Sequence, residues 1–132
     1  MLQRDYIMRL VREFMAALQL LLEGKDAARR REQLMKLYEQ YVGPYRLYHD
    51  ATIDEAMQAL ATYDEGQRLE RMEMLAELYY AEADTVTGPD RHQLLDKAFC
   101  LFAYIESHGN TFSMDRHYKM SLIQQFKAQE HC

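Results

Sequence analysis

Between Tyr6 and Leu22 apolar side chains return at steps of three and four: Tyr6, Ile7, Leu10, Val11, Phe14, Met15, Leu18, Leu21 and Leu22. That spacing lines one side of an α-helix and does not suit a strand, whose two faces alternate at every residue. The same period recurs along the whole chain, and no segment alternates in steps of two. Val, Ile and Thr are sparse, while Leu, Ala, Met, Glu, Gln and Arg, the better helix formers, are common. The chain therefore reads as all-α, with no sheet.

The breaks in the period set the helix ends. The first helix ends near Gly24, and Asp26 can cap a second that carries Leu34, Leu37, Tyr38, Tyr41 and Val42 inward. Gly43-Pro44 stops it, because proline restricts the residue before it. Thr52-Ile53-Asp54-Glu55 fits a capping box and opens a short third helix with Ile53, Ala56, Met57 and Leu60 inward. Asp64 can cap a fourth, with Leu69, Met72, Leu75, Ala76, Tyr79 and Ala83, which runs to Thr87-Gly88-Pro89. Pro89 then sits in the first turn of a fifth helix, with Leu94, Leu95, Ala98, Phe99, Leu101, Phe102 and Ile105, ending at Gly109. Ser113 opens a sixth, with Met114, Tyr118, Leu122 and Phe126 as its apolar side. About six helices stacked as helical hairpins are expected.

With 132 residues, 48% of them hydrophobic, residues 1–132 suffice for one helical domain and not for two ordinary ones. The balance of 21 acidic against 16 basic residues gives a net charge of −5 and argues against nucleic acid as a partner. The one basic run, Arg29-Arg30-Arg31, is spread around the helix by its geometry and reads as a solvated face rather than an anion site. Cys100 falls in an apolar helical run and is expected to be buried and unreactive, and the pair Cys100 and Cys132 makes no disulfide framework. The opening MLQRDYIMRLVREF interleaves charges with apolar residues, unlike a signal peptide or a membrane span, so no membrane association and a cytoplasmic location are expected.

A weak internal repeat divides the chain into residues 1–62 and 63–132. Leu34, Leu37, Tyr38 and Tyr41 recur 64 positions later as Ala98, Leu101, Phe102 and Ile105, and Thr52-Ile53-Asp54 has a counterpart in Ser113-Met114-Asp115. The second copy resembles a tetratricopeptide repeat. Met72 stands in the Trp place, Leu75-Ala76 in the Leu-Gly place, Tyr79 in the Tyr place, and Ala98 with Phe102 in the places of the second helix. The stretch between Tyr79 and Ala98 is about ten residues longer than the ~34-residue repeat allows, so the resemblance implies an elongated hairpin. Over nearly its whole length the chain also resembles a family of short bacterial proteins of unknown function that share the patterns seen here as LYEQYVGPYRLYHDATIDE and RLERMEMLAELYYAEAD. That resemblance implies a bacterial helical protein and brings no catalytic residue.

No cluster announces chemistry, and no cofactor is expected. No Glu is followed by His at the Glu-x-x-His spacing of helical-bundle metal sites. Asp90/His92 and Asp115/His117 stand two apart, on different sides of a helix, so no metal is expected. Glu70, Glu73 and Glu77 share one face and, with Arg68 and Arg71 nearby, read as a solvated, salt-linked outer surface. There is no phosphate loop, no Gly-x-Ser-x-Gly and no Cys-x-x-Cys. Of the aromatic stretch, Tyr38 and Tyr41 keep the helical period and belong to the core. Tyr45, Tyr48 and His49 fall after the break and fit two arrangements, packing under the third helix or lining a groove. A non-enzymatic module binding a protein or peptide, or a further copy of the chain, is the leading expectation. The alternative is a small-molecule-binding protein or small enzyme with a site around Tyr48, His49 and the segment His108–His117.

Overall fold

Each interruption of the apolar period becomes a helix end, and one interruption hides a helix of its own. The computed structural model describes residues 2–130, with side chains described from 4 to 129. It contains α1 (Leu2–Glu23), α2 (Ala27–Tyr41), α3 (Tyr45–Asp50), α4 (Ile53–Leu60), α5 (Glu65–Ala83), α6 (Gly88–His108) and α7 (Met114–Glu130), with no strand among the described residues. The expected all-α class is found. The seventh element is α3, a separate helix between Gly43-Pro44 and the expected third helix, which is α4.

Three of the expected caps work by the chemistry their residues suggest, whereas Asp64 stands at the start of α5 without a side-chain cap hydrogen bond. Asp26 accepts from the backbone amides of Ala28 (3.1 Å) and Arg29 (3.3 Å). Thr52 accepts from the Glu55 amide while the Glu55 carboxylate accepts from the Thr52 amide, a complete capping box. The Ser113 hydroxyl accepts from the Arg116 amide at 3.1 Å. At Gly43 the backbone φ of +153° and the Tyr48 ring, 2.8 Å from where a Cβ would stand, leave room for glycine alone.

α5 and α6 form the central hairpin. α1 and α2 pair with each other and both pack on α5, α7 packs on α6, and α4 bridges α5 and α6. The core runs through Phe14, Tyr38, Leu75, Tyr79, Leu101 and Phe102, all inaccessible to solvent. Ala76 and Ala98 are equally buried, and their small size is what lets α5 and α6 approach closely. No helix among the described residues is long and apolar enough to cross a membrane.

Three expectations about which side faces inward are corrected. Glu77 is buried and Glu70 and Glu73 are largely covered rather than solvated, because α5 is flanked on more than one side. Their partners reach them from α1 and α7: Arg4 meets Glu70 at 2.7 Å, Arg116 lies 3.7 Å from Glu73, and Lys119 pairs with Glu77. Arg71 is likewise buried, giving hydrogen bonds to the Tyr41 carbonyl and to Gln67. Met114 and Tyr118 do not face the core but are 78% and 62% exposed; α7 turns in Arg116, Met120 and Ile123 instead. Cys100 is exposed, not buried, because the inward stripe of α6 runs through Leu94, Ala98, Leu101 and Ile105 and misses it. Cys132 lies outside the described residues.

Candidate functional site

Pro44 ends the turn after α2 and starts α3, which drives two aromatic rings into the space between α2, α5 and α6. Tyr45 and Tyr48 are 8% and 3% exposed, so of the two arrangements open to them the packed one holds, and they do not line a groove: they are core residues. The reason is Glu82, a carboxylate only 1% exposed on α5. Its Oε1 accepts from the Tyr38 hydroxyl at 2.7 Å and its Oε2 from the Tyr45 hydroxyl at 2.6 Å. His49 completes the set, with Nδ1 2.9 Å from Oε2 and its ring stacked on Tyr45 at 5.0 Å between centroids. A buried carboxylate persists when its lone pairs are filled this way, and the tyrosines turn inward to fill them. Burial, then the adjacent Glu82 charge, pushes the Tyr38 hydroxyl well above its ordinary pKa; burial and the hydrogen bond to Glu82 do the same for Tyr45. Burial pushes Tyr48 up to about 12.

Of the three sequence-predicted residues, only His49 reaches solvent. It stands at a cavity of about 380 Å³ between the α3–α4 junction and α6, whose walls include Asp50, Ala51, Ile53, Asp96, Lys97 and Cys100. Lys97 closes the C-terminal end of α3: its ammonium donates to the carbonyls of His49 and Ala51, both at 3.0 Å, and lies 4.5 Å above the Tyr79 ring. Burial lowers its pKa, against the opposing pull of Glu82 and Asp50. Burial, with Asp96 beside it, raises the Cys100 thiol, which is the opposite of nucleophile activation.

The segment His108–His117 is not brought to His49. His108 lies eleven residues past Lys97 on the same helix, about 16 Å along the axis. It stacks on Tyr104 at 3.8 Å, and His117 sits 2.7 Å from Glu106. Among the described residues no group of three or more His, Cys, Asp or Glu is arranged to hold a metal ion.

A second concave feature lies on α1 and α2, away from α5. It encloses about 430 Å³ over Ala17, Leu21 and Leu37, with Leu20 standing 73% exposed beside them. Lys25, Arg29 and Lys36 ring it, none of the three ion-paired among the described residues, together with Asp26, whose carboxylate is taken up in capping α2. The sequence reading passed over this groove, although its signal was present. In Leu18-Gln19-Leu20-Leu21-Leu22 the core period takes Leu18 and Leu21, which leaves Leu20 facing outward. The basic run also divides: Arg29 goes to this groove, Arg30 donates to the carbonyls of Leu22 and Gly24, and Arg31 turns toward His49.

The chain matches no protein-family model, and neither curated proteins nor solved structures include a significant match to it.

Proposed function

We propose that the chain is a non-enzymatic interaction module of tetratricopeptide-like helical-hairpin type, bacterial and cytoplasmic, and that the α1–α2 groove receives an acidic amphipathic helix of a partner protein. The observation that carries this reading is the exposed Leu20 beside an apolar floor, ringed by three cations from the α1–α2 loop and α2 against the single carboxylate of Asp26, which caps α2. Apolar side chains of a helix at i, i+3, i+4 and i+7 would meet Ala17, Leu20, Leu21 and Leu37, while its flanking carboxylates would meet Lys25, Arg29 and Lys36. The net charge of −5 on the whole chain makes this cationic rim locally distinctive and disfavours a second copy docking rim to rim. The unpaired Cys100 thiol suits a reducing compartment.

The test uses two synthetic amphipathic helices that share leucines at those four positions and carry Glu or Lys elsewhere, followed by fluorescence anisotropy. The Glu peptide should bind about tenfold more tightly than the Lys peptide at low salt, with the gap closing as salt rises. Leu20→Glu, which alters an exposed side chain and should keep the parent melting temperature, should abolish that binding. Equal affinity for the two peptides, or no effect of Leu20→Glu, would overturn the reading.

A further inference from the structure

Beside the cavity at His49 lies a smaller one of about 80 Å³, bounded by Arg31 of α2, Asp90 near the start of α6, and His49, Gln93 and Lys97, the last three shared with the larger space. Two cationic side chains and an imidazole, from three different helices, thus converge on one small space. Each is held differently. Arg31 is exposed and has no carboxylate within ion-pair distance among the described residues, so its planar fork of donors is uncommitted. Lys97 has its donors committed to backbone carbonyls and contributes fixed charge. His49 is oriented through Nδ1 by Glu82, which leaves Nε2 as the nitrogen for a ligand.

The opposing charges narrow the ligand. Asp90 borders the same small cavity and Glu82 lies behind His49, so a dianion such as phosphate would meet about twice the repulsion that a monoanion does. Asp96, on the larger cavity, is already paired with Lys127 at 2.5 Å, and Asp50 is exposed at the rim. The wall running outward from His49 is apolar at Ala51, Ile53 and Cys100. A guanidinium presents two parallel donors that a planar carboxylate accepts in a bidentate pair.

We propose that the two adjoining cavities bind a small organic monocarboxylate, with the carboxylate between Arg31 and His49 and the hydrocarbon along Ala51, Ile53 and Cys100. The site is separate from the α1–α2 groove and stands or falls without it.

Acetate, butyrate, hexanoate and inorganic phosphate, titrated separately into the full chain at constant ionic strength, are followed by amide NMR shifts. Saturable shifts at His49, Gln93 and Lys97 should appear with the carboxylates, with affinity rising about fourfold per added methylene until the larger cavity is filled. Arg31→Gln, at an exposed and unpaired position, should leave the spectrum folded and weaken butyrate about tenfold. His49→Gln should weaken it as well, whereas Leu20→Glu should leave it unchanged. Absence of saturable shifts with every carboxylate, tighter binding of phosphate than of butyrate, or full affinity in Arg31→Gln would each overturn the proposal.

Discussion

Replacing Glu82 by leucine separates the polar from the apolar part of the core. The volume is roughly kept, so the cavity contribution is small, and what changes is the fate of the donors around the carboxylate. The Tyr38 hydroxyl is wholly buried and its hydrogen bond goes to Glu82, so it would be stranded at the full desolvation penalty of ~1–3 kcal/mol. The Tyr45 hydroxyl can turn to His49 Nδ1, 3.1 Å away, and should lose about 1 kcal/mol. Together the loss comes to about 3 kcal/mol. For 132 residues, unfolding entropy per residue converts this to a fall of about 11 °C in Tm. Adding Tyr38→Phe and Tyr45→Phe to Glu82→Leu removes the stranded hydroxyls, and the triple variant should regain at least half the loss. Urea titrations and thermal melts followed by circular dichroism measure both. A single variant within ~0.5 kcal/mol of the parent, or a triple variant no more stable than the single, would refute the idea that the tyrosines depend on Glu82.

Phe102→Ala, a truncation of a wholly buried ring between α5 and α6, should cost about 3 kcal/mol or more in the same urea titrations. Cys100 should react with a thiol reagent in the folded protein, slowly at neutral pH and faster as pH rises, because it is exposed yet its thiol is raised by burial and Asp96; protection until unfolding would contradict its placement. Tyr38, Tyr45, Tyr48 and Tyr79 all have hydroxyl pKa values raised above 10 by burial, so each favours the fold in its neutral form. That stabilisation is complete below about pH 10 and is lost as pH rises through the folded values, the Tyr48 value being about 12, so the tyrosines should make stability fall above about pH 10, and Tyr48→Phe should lessen the fall, read as urea midpoints against pH.

The helices were legible because their ends rest on local chemistry. Asp26, Thr52 with Glu55, Ser113 and Gly109 act within one turn of themselves, and no distant residue is needed to decide what they do. The helix α3 was not legible for the complementary reason. Six residues are too few to show a period, and Tyr45-Arg46-Leu47-Tyr48 is helical because Tyr45 and Tyr48 are drawn to partners on α5: Glu82, and the Tyr79 hydroxyl that donates to the Tyr48 carbonyl at 2.6 Å. The orientation of α7 escaped for a related reason. Hydrophobicity favoured the Met114–Tyr118 side, but the helix is turned by Arg116 and Lys119, which pair with Glu73, Glu77 and Glu106.

The sites follow the same division. A carboxylate in a helix reads as solvated when judged by its own sequence neighbours, and Glu82 in particular sits among Tyr79, Tyr80, Ala81 and Ala83 with nothing local to mark it. Its burial is decided by residues 37 and 44 positions away, Tyr45 and Tyr38, which supply the hydroxyls. Once Glu82 is fixed, His49 has one nitrogen assigned and its ring plane set by Tyr45, and Lys97 is drawn over the end of α3. The cavity edge at His49 is thus a consequence of how a buried acid is neutralised. Arg31 is the exception: it is tied by no ion pair among the described residues, and its direction comes only from where α2 places it after Asp26 sets the helix phase. A residue placed by backbone geometry alone can be exchanged at little cost to the fold, which is why Arg31 offers the cleanest separation of binding from stability in this chain.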